Sequence, residues 1–218
     1  SSFISLSIDG CYADANGEMS WAHNQDPEQA EFTRGNAQGG ARLLFGRTTY
    51  DMMASFWPKP AAAQMMHEVA KAMNEAPKLV FSRTLTSADW QNTTVKSDLI
   101  HEVKKLKADG GTDIAILGSG SIVAQLIDVG LLDELQVMLV PISLGGGKRL
   151  FDRVRRRHEL VPLGLQEVRG AHVDRFLAGL GTGGRDDLRV ALTERGAVVA
   201  EHEVGELGGQ HLVRTNQH

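Results

Sequence analysis

Cysteine is nearly missing from this chain. Cys11 is the only one among 218 residues, which rules out an intrachain disulfide framework and a cysteine-rich zinc site and makes a reducing, cytoplasmic setting the simplest expectation. Long hydrophobic runs are missing too. No stretch reaches the length that crosses a bilayer, and no basic, apolar, small-residue leader opens the chain, so no membrane association is expected. The start lacks methionine, which reads as a trimmed or incomplete terminus. There is no basic excess either: the formal net charge is -4, which argues against a mainly nucleic-acid-binding protein and leaves only a local basic patch to consider. In the tail, His202, His211 and His218 stand too far apart to form a recognisable metal motif, so no metal is expected.

What is present is a core-forming composition, 42% hydrophobic, enough for one sizeable domain. The chain is organised around the segment from Ile114 to Ile127. Ile114, Ile116 and Leu117 read as a buried strand, and Ile122, Val123, Leu126 and Ile127 recur at the spacing of a packed helix face. Between them, Gly118-Ser119-Gly120-Ser121 has little side-chain bulk, so backbone N–H groups and a helix N-terminus can face an anion such as a phosphate. The same letters also suit a tight packing turn.

Two other segments repeat this strand-to-polar-turn pattern. In Arg42 to Tyr50, Gly46 lets the backbone approach a ligand, and Arg47 and Thr48 open the next helix with donors suited to phosphate oxygens, although a solvated Arg47 fits equally. In Pro77 to Leu85, Leu79 to Phe81 form a short strand with Ser82 and Arg83 at its carboxyl end. Two arginines at two strand ends can grip one phosphate from two sides.

The opening strand, Phe3 to Ile8, suits either a central or an edge position and ends at Asp9-Gly10. The polar Tyr12 to Trp21 segment reads as a loop long enough to close over a pocket. Asp26, before Pro27 and Glu28, has two readings: a helix cap, or a carboxylate at a cleft beside Trp21 able to donate a proton. A helix is expected from Ala61 to Asn74 with Met65, Met66, Val69 and Met73 in the core, another from Leu99 to Ala108, and a strand from Leu135 to Val140 ended by Pro141. Lys148, Arg149, Arg153, Arg155, Arg156 and Arg157 form the dense basic cluster. It reads as a solvated helix flank, with contact to an anionic substrate or nucleic acid as the alternative.

Taken in order, these motifs resemble the dihydrofolate reductase-like superfamily, and more closely the family of the C-terminal reductase domain of bacterial riboflavin biosynthesis. The resemblance rests on Ser5-Leu6 with Ile8-Asp9-Gly10, Phe45 to Tyr50, Phe81 to Thr84, Leu117 to Ile122, Asp133 to Leu135 with Pro141, and Leu144 to Phe151. It implies a three-layer α/β/α fold with a mostly parallel central sheet and antiparallel C-terminal strands. It assigns Gly46, Arg47, Thr48, Ser82 and Arg83 to the adenosine-phosphate side of NADPH, and Gly118, Ser119, Gly120 and Ser121 to its pyrophosphate. Trp21 and Asp26 match in spacing the tryptophan and the acid of folate reductases. The implied activity is NADPH-dependent reduction of a pterin-like or other small heterocyclic substrate by a homodimer. A riboflavin-pathway pyrimidine reductase and a non-catalytic NADPH-binding regulatory protein are the alternatives.

Two departures stand out. The compact Ser-Leu-Asp-Gly of that family is here Ser5-Leu-Ser-Ile-Asp-Gly10, which leaves the placement of Asp9 open. Residues 1–160 form the expected core, whereas 161–218 is an atypical C-terminal segment with ten glycines. Its longest helical stretch is His172 to Ala178, and Gly196 to Val204 is a candidate last strand. No deaminase-like zinc segment is read in the chain, so an independent reductase is the first choice.

Overall fold

The computed structural model describes residues 1–22, 40–168 and 171–177, all within a compact unit, Ser1–Gly181. The strands are β1 (Ser2–Ser7), β2 (Cys11–Ala13), β3 (Arg42–Gly46), β4 (Lys78–Phe81), β5 (Thr93–Lys96), β6 (Ile114–Leu117), β7 (Glu134–Val140), β8 (Lys148–Arg149), β9 (Val161–Val168) and β10 (Ala171–Leu177). The helices are α1 (Arg47–Phe56), α2 (Pro60–Met65), α3 (His67–Glu75), α4 (Leu99–Ala108) and α5 (Gly120–Asp128).

Eight strands form one sheet in the order β5-β4-β3-β6-β1-β7-β10-β9, and β2 pairs with β8 in a small ribbon. β5, β4, β3, β6, β1 and β7 are mutually parallel, while β10 runs antiparallel to both β7 and β9. With helices on both faces, this is the three-layer α/β/α fold of the dihydrofolate reductase-like superfamily. β1 is central, between β6 and β7, which resolves its two readings and explains why Ser5 and Ser7 are buried along with Ile4 and Leu6.

Alternation along each strand sorts side chains between the layers. Leu44, Leu79, Phe81 and Ile116 face the cluster built on Leu99 and Val103 of α4 and Ile122, Val123, Leu126 and Ile127 of α5. Leu43, Phe45, Val80 and Ala115 face the opposite cluster, with Tyr50 of α1, Val69 and Met73 of α3, and Trp90. Both helices of this layer have a clear local boundary signal, a start for α4 and a stop for α5. Asp98 caps α4 by accepting the His101 N–H at 3.0 Å. α5 ends in a Schellman motif: Gly130 takes φ +68°, its N–H reaches the Ile127 carbonyl at 3.0 Å, and the Leu131 N–H reaches Leu126 at 2.9 Å.

Three expectations need correction. The helix expected from Ala61 to Asn74 is split by Met66, which leaves helical geometry at φ -146°, ψ 66°; Met65 then turns outward at 72% exposure instead of joining the core. Of the stretch from His172 to Ala178, His172 to Leu177 are strand and not helix, because β10 pairs with β7 from His172↔Leu139 to Leu177↔Glu134; Ala178 lies outside the described residues. The basic cluster is not a helix flank. Lys148 and Arg149 form β8, Arg153 ends a short 3-10 turn, and all six cations are exposed. Gly196 to Val204 lies outside the described residues.

Candidate active site at the carboxyl edge of the sheet

The chain steps outward from β1 to β3, β4 and β5, then returns to insert β6 between β3 and β1. That reversal opens a crevice at the carboxyl ends of the strands, where open α/β sheets bind ligands. Two turns meet there. β6 leaves the sheet through Gly118 at φ +69° and Ser119 at φ +50°, ψ 48° before α5 begins at Gly120. The Gly118 N–H is held by the Phe3 carbonyl of β1 at 2.9 Å. Ser119 is 8% exposed, and its Oγ accepts the Gly46 N–H at 3.1 Å. A left-handed non-glycine residue costs roughly 1–2 kcal/mol, about what this hydrogen bond returns. A Cβ at Gly46 would lie 3.3 Å from Ile122 Cγ1, close enough that the isoleucine would have to yield by a few tenths of an ångström.

This latch revises the site. The Gly46 N–H is taken by the Ser119 hydroxyl, so the two turns read from the sequence as separate phosphate contacts are fastened to each other. The donors left over are the N–H groups of Gly120 and Ser121, which meet no acceptor among the described residues and stand where a helix N-terminus attracts anions. The Tyr12 ring covers Gly120 so closely that a Cβ would lie 2.5 Å from its Cδ1. Burial pushes the Tyr12 phenol above its ordinary range, opposed by the positive charge of Arg153.

The register Gly46↔Phe81 brings Arg47 and Ser82 to neighbouring strand ends, one step beyond the sheet. Arg47 is exposed and holds Asp51 with an Nε–Oδ2 distance of 2.6 Å. Thr48 and Arg83 are exposed as well. The Ser82 hydroxyl is occupied in shaping its own turn, accepting the N–H groups of Thr84 at 3.1 Å and Leu85 at 3.0 Å.

Trp21 lies in a short turn, Ser20–Ala22, and its indole N–H donates to the Glu18 carbonyl at 3.2 Å. Asp26 lies outside the described residues, so its pairing with Trp21 remains a reading of the sequence. Asp9 is placed clearly. Its carboxylate accepts the Ser7 hydroxyl at 2.7 Å, the Leu144 N–H at 3.1 Å and the Gly145 N–H at 2.9 Å. The Ser7 bond foremost, and then the Leu144 bond, hold it below the usual carboxylate range. Such a carboxylate is a clamp on the glycine loop and a poor proton donor near neutral pH.

A family model for the RibD C-terminal domain matches residues 2–180. The chain belongs to the RibD C-terminal domain family. Uncharacterized protein YyaP of Bacillus subtilis (strain 168) is 33% identical over 157 residues, covering 72% of this chain and 82% of its own. Among solved structures, a putative riboflavin biosynthesis protein from Shewanella sp. PV-4 superposes with a TM-score of 0.64 at 23% identity, covering 81% of this chain and 97% of that one. A pyrimidine reductase-like protein from Corynebacterium diphtheriae gives 0.55 at 14% identity, covering 81% and 90%. These structural matches establish the fold. Among the described residues of this RibD C-terminal domain, a cavity lies at each end of the sheet. One of about 210 Å³ surrounds Ser1, Asp113 and Leu131 at the amino ends of β1 and β6 and contains none of the expected site residues. The other, about 250 Å³, joins Tyr12, Gly120 and Ser121 to Lys148, Arg149 and Arg153. Sequence reasoning assigned none of those cations to the Gly120 turn, because they follow it by about thirty residues and only the β2–β8 pairing brings them back.

Proposed function

We propose that this protein is an NADPH-dependent reductase of a pterin-like or other small heterocyclic substrate, working as a cytoplasmic homodimer. Membership of the RibD C-terminal domain family supports a reductase-type activity. The observation that carries the cofactor assignment is the adjacency of Arg47 and Arg83 at neighbouring strand ends, on the same edge as the unpaired N–H groups of Gly120 and Ser121. That set suits a dinucleotide bearing an extra ribose phosphate: guanidinium forks for the phosphate monoester, a helix N-terminus for the pyrophosphate. When bound, NADPH supplies the hydride. The chain's own part is to orient and to deliver a proton. Ser119 fixes the spacing of the two turns, Asp9 anchors the glycine loop, and the Tyr12 to Trp21 segment flanks the pocket. Asp26, beside Trp21 in the sequence, is the assigned proton donor.

Fluorescence titration with NADPH and NADH tests the reading. NADPH is expected to bind at least about tenfold more tightly, and Arg47→Ala/Arg83→Ala to remove most of that preference. Equal affinities, or no binding of either nucleotide, overturn it. NADPH oxidation is then followed over dihydrofolate, other pterins and a ribosylaminopyrimidinone. With a reactive substrate in hand, Asp26→Asn should fold and bind NADPH yet lose the acid limb of its pH profile; asparagine also caps helices, so retained turnover assigns Asp26 to capping alone.

A further inference from the structure

We propose that the cavity at the amino ends of β1 and β6 is a second binding site, one that takes a small amine carrying a compact apolar body such as a single aromatic ring. The site lies at the opposite end of the sheet from the crevice and does not rest on the reductase reading. Its volume is about 210 Å³. A cavity of about 150 Å³ already admits benzene, so one ring with a short arm fits.

The floor is apolar because the cavity opens into the main core cluster. Leu44 of β3, Ile116 of β6, Val103 of α4 and Leu126 of α5 all line it, and none of the four is more than 3% exposed. A ring that enters therefore leaves water for a fixed apolar wall, which supplies the driving force. The mouth is framed by Gly110 and Gly111. No described atom lies within 4 Å of where a Cβ would stand at either glycine, so this turn leaves the entrance open.

β1 adds a polar group to the same face. Ser2 stands in register between Ile116 and Leu135, on the side of β1 that carries Ile4 and Leu6 into the cluster. It is 2% exposed, and its hydroxyl meets no hydrogen-bond partner among the described residues. In a sealed core such a hydroxyl only costs stability. Beside a cavity lined by its neighbour Ile116, it can accept from a ligand N–H, directly or through a water.

The rim sets the sign of the head group. Lys107 is paired with Asp133, and Gln136 donates to Glu134 at 3.0 Å. The Asp113 carboxylate, at the cavity wall, has no hydrogen-bond or ion-pair partner among the described residues. Counting the Ser1 amino group, which donates to the Ile114 carbonyl at 2.8 Å, two cations meet the three carboxylates of Asp113, Asp133 and Glu134. That surplus of negative charge favours an ammonium head over a carboxylate.

Titration of the full chain with 2-phenylethylamine, followed by leucine-methyl NMR at low salt, tests the site, with 2-phenylethanol and phenylacetate as neutral and anionic probes of the same ring. The amine should shift the methyl resonances of Leu126 and Leu132, both of which line the cavity. It should bind about threefold more tightly than the alcohol, the scale of an exposed ion pair, with phenylacetate weakest. Asp113→Asn changes an exposed residue, and the methyl spectrum itself reports whether the variant is folded. It should lower the amine to the affinity of the alcohol and leave the alcohol unchanged. No saturable shift at Leu126 and Leu132, shifts confined to the carboxyl edge of the sheet, or an Asp113→Asn chain that binds the amine as tightly as the unchanged one overturns the proposal.

Discussion

Lys78 at the amino end of the central sheet and four arginine and lysine side chains at its carboxyl end are treated in opposite ways. At the amino end of β4, Lys78 is 1% exposed, and its ammonium donates to the carbonyls of Met73 at 2.8 Å, Asn74 at 3.1 Å and Ala76 at 2.7 Å, while lying 4.5 Å from the centre of the Trp90 ring. It closes the carboxyl end of α3, where carbonyls would otherwise be orphaned, and Trp90 is itself tied to α3 by its indole N–H to Asn74 at 2.7 Å. At the carboxyl end, Arg83, Lys148, Arg149 and Arg153 are exposed with no ion pair among the described residues, and two backbone donors of α5 lack acceptors. Internal satisfaction contributes stability; donors left without internal partners contribute binding. The comparison ties Lys78 to stability and, under the proposed function, the carboxyl edge to ligand recognition.

The largest effect that can break it is Lys78→Met. This change leaves helix-end carbonyls without their donor and should destabilise by about 3 kcal/mol in chemical denaturation, with NADPH affinity at the far edge unchanged. Its pH dependence has a definite sign. Burial pushes the Lys78 ammonium down to about 8, below its unfolded value near 10.5. Between those values the unfolded chain holds a proton that the folded chain has released, so this group's contribution to stability rises as pH climbs from about 8 to 10.5 and is flat below. The gap between the unchanged chain and Lys78→Met should widen across that window. A constant gap removes the buried ammonium from the account.

An intermediate effect is expected at Gly120. A methyl group there meets the Tyr12 ring, so Gly120→Ala should cost about 2 kcal/mol and weaken NADPH binding. In a Tyr12→Ala background the same change should be nearly neutral, because the clash is gone and alanine favours the helix. A double-mutant cycle on unfolding free energies measures this, and additivity would show that Tyr12 does not cover the turn. The smallest effect sharpens the comparison. Ser119→Ala keeps the left-handed strain and loses the bond to Gly46, costing about 1 kcal/mol, whereas Ser119→Gly relieves that strain and should melt close to the unchanged chain. Both should weaken NADPH to a similar degree, as expected if the hydroxyl positions the two turns. If Ser119→Gly binds NADPH as the unchanged chain does, the latch plays no part in positioning.

Much of this edge was legible because its signals are local. Ile114, Ile116 and Leu117 precede Gly118, and Ile122, Val123, Leu126 and Ile127 follow it; strand and helix periods switch across four small residues, so the turn announces itself. Arg47, directly after β3, and Arg83, two residues after β4, were singled out as candidates for the same reason. Met65 was misplaced because a helical period cannot register a break that depends on the backbone of the next residue, Met66. The stretch His172 to Leu177 was misread because its apolar positions do not discriminate between periods, and pairing with β7 decides the matter.

The strands β1, β3, β4, β6 and β7, the glycine turns that follow β3 and β6, and the family were therefore legible in the sequence itself, since each depends on residues within one turn or one strand of one another. Only the tertiary structure decided how charges and donors are shared. Lys78 looks like any strand-flanking lysine until α3 ends above it and Trp90 lies against it. Gly46 and Ser119 are 73 residues apart, yet a hydrogen bond fastens their two turns together. Lys148, Arg149 and Arg153 form one wall of a cavity only because Asp9 and β2 hold their backbone. Hydrogen bonds and electrostatic fields depend on distance in space, and pairing of β3 with β6, and of β2 with β8, brings these distant residues within their range.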